Sequence, residues 1–182
     1  MAGRIIELVV AELDLPVAEL HAWTDEHFAN LVANHYLPHP EPPAPGQTRV
    51  GPHTDRGGIT LLAADEAPSG LEVRPPGGDL LPVVIPADAF VVQAGDLRSR
   101  WTNHRIPANV HRVVNPPPEV AATASRLALV YFHYPRLDAV VAPAPSCLAT
   151  CEGGPEPTSA GEHLRRRQEA FKLGAHEHHA PA

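Results

Sequence analysis

The stretch that decides the fold is His53-Thr54-Asp55-Arg56-Gly57-Gly58-Ile59-Thr60-Leu61-Leu62. It sets a histidine and a carboxylate one residue apart, breaks at two glycines, and runs into an apolar, β-prone segment. Side chains alternate with period two on an extended chain, so His53 and Asp55 point to one face. A third ligand stands far downstream, in His111-Arg112-Val113-Val114. Two imidazoles and one carboxylate can occupy one face of an octahedral iron(II) and leave three positions open. Open positions serve chemistry rather than structural support. His111 must then arrive on a second strand that lies close in space. A zinc ion on the same three ligands is also chemically possible. The chain has 12 histidines, so the meaning of the pattern rests on what flanks it.

Upstream, Leu31-Val32-Ala33-Asn34-His35-Tyr36 reads as a strand, which puts Asn34 and Tyr36 on the same side. Residues 38–52, with many prolines and two glycines, read as a loop. Nearer the start, Ile6, Val9, Val10 and Leu13 recur at i, i+3, i+4, i+7 and predict a helix over 4–13. Pro16 opens a second predicted helix, over 17–30, where a proline in the first turn is tolerated. Its expected buried positions are Leu20, Trp23 and Phe28. Downstream, short apolar runs at 59–62, 71–74, 80–85, 89–93, 112–114 and 126–132 are separated by turn residues such as Pro75-Pro76-Gly77-Gly78 and Gly95-Asp96. Such spacing predicts a mostly β fold, a barrel or a double-sheet roll. The run from Arg126 to Phe132 is the longest. Its Leu127, Leu129 and Val130 do not alternate cleanly with polar residues, which suggests that both faces of that strand are covered.

The chain has 182 residues, enough for one domain with a real core. Its formal charge of −7 argues against a dedicated nucleic-acid binder, which needs a basic surface for phosphate contacts. No apolar run approaches the roughly 18 residues of a membrane span, and the start lacks the features of a secretory signal. Cys147 and Cys151, without a further Cys/His cluster, make a poor zinc motif and read as free thiols. A cytoplasmic location is the expectation.

The segments around the metal motif carry a family likeness. After the His-x-Asp come Gly57-Gly58-Ile59-Thr60-Leu61-Leu62, then Gly70-Leu71-Glu72-Val73, then Gly95-Asp96-Leu97 leading to Arg100-Trp101-Thr102-Asn103, then His111-Arg112-Val113-Val114-Asn115-Pro116 and Arg126-Leu127-Ala128. In order and spacing, Asn34 to Pro135 resembles the C-terminal catalytic region of iron(II)/2-oxoglutarate-dependent oxygenases of the isopenicillin N synthase type. The resemblance implies a double-stranded β-helix, or jelly roll, with N-terminal helices and one C-terminal helix. It implies Fe(II) held by His53, Asp55 and His111, 2-oxoglutarate as co-substrate, and O2. It implies that Arg126 clamps the far carboxylate of 2-oxoglutarate, a task suited to the paired donors of a guanidinium. Asn34 would touch the iron-proximal end of the co-substrate and Tyr36 its distal carboxylate. The implied activity is hydroxylation, desaturation or cyclisation of a small organic molecule. One departure stands out: the family pattern is Arg-x-Ser, and here Ala128 follows Arg126-Leu127. That leaves open an oxidase of the same fold without 2-oxoglutarate, or a non-catalytic binding module.

The C-terminal part changes character. Residues 141–157 are rich in Pro, Ala and Gly, and Ser159-x-x-Glu162 reads as a capping box opening a helix. Leu164 and Phe171 give that helix a thin apolar stripe, so weak packing is expected, with Arg165-Arg166-Arg167 as a solvated face. The organisation expected is a catalytic roll over 1–152, including an N-terminal helical segment over 1–30, followed by a helix and disordered tail over 153–182. The His-x-Asp motif begins about 52 residues into the chain, where the family is usually longer. An open iron site and an exposed apolar patch are therefore expected, closed by self-association or a partner chain.

Overall fold

The computed structural model describes residues 1–13, 15, 23, 25–39, 41, 43–67, 70–148 and 153–172. In chain order the elements are α1 (Ala2–Glu12), β1 (Phe28–Tyr36), β2 (Val50–His53), β3 (Ile59–Ala64), β4 (Leu71–Val73), β5 (Leu81–Pro82), β6 (Val91–Ala94), α2 (Asp96–Trp101), β7 (His111–Val113), α3 (Pro118–Ala121), β8 (Arg126–Tyr134), β9 (Val140–Val141), α4 (Pro145–Leu148), β10 (Thr158–Ser159) and α5 (Ala160–Lys172). One four-stranded antiparallel sheet runs β1-β8-β3-β6, a second runs β2-β7-β4-β5, and β10 pairs with β9. Apart from β4 and β5, consecutive strands from β1 to β8 alternate between the two larger sheets, which is how a roll brings distant segments to one end.

Period two organises the first of these sheets. Along β8, Arg126, Ala128 and Val130 are buried while Leu127 and Leu129 are exposed. The expectation that both faces of this strand are covered is therefore corrected: the alternation is clean, but leucine rather than a polar residue occupies the open face. Leu31 of β1 lies across from Tyr131 on that face and is 67% exposed, so three exposed leucines, Leu31, Leu127 and Leu129, share it. Towards β3 the same face is covered. There α1 brings Ile6 and Val10 onto Ile59 and Leu61, with Trp23 and Trp101 packed alongside at 4.9 Å between ring centroids. Each of those aliphatic side chains contributes about 1.5–3 kcal/mol by leaving water.

Helix α1 occupies the predicted place, but the helix expected over 17–30 ends differently. Residues 28–30 are strand, because β1 pairs with β8 along its whole length, from Phe28 opposite Tyr134 to Tyr36 opposite Arg126. A continuous ladder overrides the weak helical pattern, and Phe28 is 46% exposed rather than buried, its ring lying against Tyr134. Leu20 lies outside the described residues; Trp23 is buried as expected. The loop expected over 38–52 likewise ends early, at β2. This strand is at a sheet edge, paired on one side with β7, so Pro52, which has no amide to donate, is tolerated in it. Cys147 is buried; Cys151 and the tail 173–182 lie outside the described residues. Among the described residues no helix is long and apolar enough to cross a membrane.

Candidate metal centre and co-substrate pocket

The two histidines meet because β2 and β7 pair. His53 and His111 are direct cross-strand partners, with ring centroids 4.2 Å apart. His53 Nδ1 lies 2.8 Å from the carbonyl of Gly51, and His111 Nδ1 3.0 Å from that of Asn109. Each Nδ1–H thus donates to the backbone two residues upstream. That fixes the tautomer and leaves both Nε2 lone pairs turned into the site. Asp55 lies beyond the end of β2, and its Oδ1 sits 3.9 Å from each Nε2. All three donor atoms lie within 4.8 Å of one another. Burial, and next the neighbouring His111 ring, push the pKa of His53 down, so the ring stays neutral as a ligand must. Neutral imidazoles with one carboxylate fit a divalent iron and leave part of its surface open.

The carboxylate is held by its own shell. Thr60 Oγ1 donates to Asp55 Oδ2 at 2.6 Å, which leaves Oδ1 turned to the two imidazoles. The backbone around Asp55 is clasped by the start of α2. Gly95 donates to Gly58 O at 2.9 Å, Asp96 to Asp55 O at 2.7 Å, and Leu97 to Gly57 O at 3.1 Å. This clasp demands glycine. A Cβ on Gly95 would stand 2.3 Å from Gly57 O, and a Cβ on Gly57 would stand 2.5 Å from His133 O. The side chains of Asp55 and His111 are only 6% and 8% exposed, whereas that of His53 is 38% exposed, so the centre opens on the His53 side.

Asn34, Tyr36 and Arg126 share one face of the β1-β8-β3-β6 sheet, since Asn34 lies opposite Ala128 and Tyr36 opposite Arg126. That same face of β8 carries Tyr134, whose phenol pKa is raised by burial and next by the nearby Asp55. One continuous strand face therefore runs from the metal centre to the arginine. Arg126 is 1% exposed, yet its Nε and Nη2 have no partner. Burial pushes its pKa down, and Tyr36 and Asp65 work against that. A buried guanidinium with unfilled donors is costly, and a carboxylate is the group that satisfies it.

Several supporting residues lie beyond the reach of the sequence patterns. Thr60 stands in what reads as an apolar strand; its inward position follows from period two, but its bond to Asp55 does not. The arginine run is expected to be solvated, and this holds for Arg165 and Arg166, which pair with Glu162 and Glu169. Arg167 differs: its Nε lies 3.0 Å from Asp96, and its Nη2 donates to Thr54 Oγ1 at 3.1 Å. His163 approaches the same carboxylate at 3.6 Å. Burial alone would raise the Asp96 pKa, but His163, Arg167 and Thr54 together hold it below its ordinary value. Helix α5 is thus bolted to the loop that carries Thr54 and Asp55 and to the start of α2, and Ala160 at its start is fully buried, so its packing is stronger than its apolar stripe suggests. The capping box holds in half: Ser159 Oγ accepts from Glu162 N, while Glu162 turns to the arginines. Trp101 packs in the core. His104 is an exposed loop residue with φ 62°, within 2.9 Å of Ser99 Oγ.

The profile of the 2OG-Fe(II) oxygenase superfamily matches residues 27–135. The 2-oxoglutarate-dependent dioxygenase ecdK of Aspergillus rugulosus is 38% identical over 118 residues, 62% of this chain and 35% of that protein. A Caulobacter crescentus protein assigned to the 2OG-Fe(II) oxygenase family superposes with a TM-score of 0.81 at 31% identity, covering 94% of this chain and 55% of the other. A full-length Neurospora crassa protein, solved in complex with alpha-KG, gives a TM-score of 0.79 at 30% identity, over 90% of this chain and 50% of that one. The chain spans about half the length of these two structures and about a third of that of ecdK. The two sheets form the double-stranded β-helix of such oxygenases. The chain belongs to the 2OG-Fe(II) oxygenase superfamily.

Proposed function

We propose that this chain is the catalytic roll of a mononuclear iron oxygenase that oxidises a small organic molecule with O2 and 2-oxoglutarate, by hydroxylation, desaturation or cyclisation. The observation that carries the reading is the pairing, on one roll, of a three-donor metal face with a buried arginine whose donors are unfilled. His53, Asp55 and His111 hold the iron. Arg126 receives the distal carboxylate of 2-oxoglutarate, Tyr36 flanks it, and Asn34 faces the end nearer the metal. When bound, the iron supplies a redox-active Lewis acid at which O2 and the co-substrate react. The protein's own part is to keep the His53 ring neutral, to aim both Nε2 atoms into the site through the Gly51 and Asn109 carbonyls, to orient Asp55 through Thr60, and to keep water from the Arg126 end of the pocket. The substrate enters beside His53. Self-association through the exposed leucines of β1 and β8, and a cytoplasmic setting, belong to the same proposal.

The test is an anaerobic Fe(II) titration with and without 2-oxoglutarate, on protein in which His176, His178 and His179 are replaced by Ala so that they cannot bind metal. The expected result is one iron per chain and a visible charge-transfer band on adding 2-oxoglutarate, with His111→Ala losing the stoichiometric iron and Arg126→Ala losing the band but not the iron. Full iron occupancy in His111→Ala overturns the metal assignment. Iron binding without any band at saturating 2-oxoglutarate overturns the co-substrate.

A further inference from the structure

Arg49 is a second cation at the co-substrate end of the roll that the family pattern of the sequence does not assign. It immediately precedes β2, and its guanidinium carbon lies 5.3 Å from the centroid of the Tyr36 ring. The guanidinium carbon of Arg126 lies 5.4 Å from the same ring. Arg49 Nη2 donates to Leu37 O at 3.3 Å, and its Nε is buried with no partner. Among the described residues no carboxylate lies within 4.0 Å of either guanidinium, and Asp65 acts on Arg126 only from farther away. Burial lowers the pKa of Arg49, and the charge on Arg126 lowers it further. Two like charges held at one aromatic ring repel each other, and the ring face offsets only part of that. An anion that reaches both would remove the repulsion and fill the empty donors.

The same place is where the sequence lacks something. Ala128, two residues beyond Arg126 on the same face, is 1% exposed and carries no hydroxyl where the family pattern has serine. We infer that Arg49 is a binding residue for the distal carboxylate of the 2-oxo dicarboxylic acid, supplying the contact that Ala128 cannot. The inference rests on the reading that 2-oxoglutarate lies in this roll with Arg126 at its far end. It adds that the pocket selects a dicarboxylate through two guanidinium groups joined by Tyr36, rather than through one arginine and a hydroxyl.

The experiment measures dissociation constants of the iron-loaded full chain, without oxygen, for 2-oxoglutarate and for 2-oxobutyrate, which has the 2-oxo acid end but no distal carboxylate. Losing a hydrogen-bonded charge contact weakens 2-oxoglutarate about tenfold to a hundredfold in Arg49→Met, while 2-oxobutyrate stays within about twofold of the parent. Adding Ala128→Ser to Arg49→Met recovers part of the loss. Arg49→Gln, with a polar stem of similar course, reads the same loss if the methionine variant does not fold. Parental 2-oxoglutarate affinity in the Arg49 variants, or equal weakening of both acids, overturns the inference. Arg126→Met separates the two levels. If it weakens 2-oxoglutarate while the Arg49 variants do not, Arg49 alone is misassigned. If neither arginine matters, the co-substrate reading falls with it.

Discussion

Gly95→Ala isolates the clasp that fixes the metal loop. The backbone of Gly95 has φ −102° and ψ 176°, a conformation any residue adopts, so conformational freedom is not why glycine stands there. What forbids a side chain is proximity: the new Cβ would lie 2.3 Å from Gly57 O and 3.0 Å from Asp55 O. Either the loop 55–58 or the start of α2 must move. Overpacking of this kind costs about 1–3 kcal/mol. The movement also stretches the bonds from Gly95, Asp96 and Leu97 to Gly58, Asp55 and Gly57, each contributing about 1 kcal/mol. A total of about 3–5 kcal/mol lowers the melting temperature of a chain this size by on the order of 10 °C. Because the displaced loop carries Asp55, iron affinity falls by about tenfold or more, as for loss of other groups that orient ligands. Gly51→Ala is the matched control. Gly51 is exposed, has nothing within 4 Å of an added Cβ, and lies two residues before His53; its expected effect is within about 0.5 kcal/mol. Thermal unfolding and anaerobic iron titration of the two variants decide the matter. A Gly95→Ala protein that melts with the parent and binds iron equally well would refute the clasp, since relief of unfolded-state entropy alone predicts slight stabilisation at both glycines.

Thr60→Val, which keeps the shape and removes the hydroxyl, leaves Asp55 without its 2.6 Å donor; iron affinity is expected to fall about tenfold with the fold intact, as read by metal titration and circular dichroism. His133, 1% exposed, has its pKa lowered to about 4 by burial, by His27 and by Arg98. Its folded value lies below the unfolded 6.5, so the stability it carries is present above that pH and is lost as pH falls towards 4; chemical denaturation across this window should show a loss on the order of 3 kcal/mol that His133→Gln largely removes. Asp96 also titrates lower in the folded state, so its contribution is full above the unfolded carboxylate pKa and disappears as pH falls through the folded one. Asp96→Asn should therefore destabilise at neutral pH but not in strong acid, and should free helix α5, seen as faster amide exchange over 160–172.

The metal face is legible because its determinants are local or nearly so. His53 and Asp55 are two residues apart, and the partner strand of His111 is announced by the short apolar run that follows it. The roll is legible for a similar reason, since turn residues cut the chain into strands at even intervals. What escapes depends on contacts between segments that no local pattern connects. The helical reading of 17–30 includes three residues that the pairing of β1 with β8 turns into strand. The loop over 38–52 rests on Pro and Gly content, which cannot register that an edge strand tolerates Pro52. Arg167 looks like its neighbours in an arginine run, and only the packing of α5 against α2 brings it, and not Arg165, onto Asp96 and Thr54. The same limit explains Arg49. Four residues before His53, in a stretch of loop composition, it has no pattern to mark it; its significance comes from Tyr36, which another strand places against it. Sequence spacing thus finds groups that can meet at one small ion, because such an ion would fix their geometry. A charged ligand several bonds long can be gripped at its far end by arginines from different segments of the chain, and for that end Ala128, where the family pattern has serine, is a reason to look for another donor.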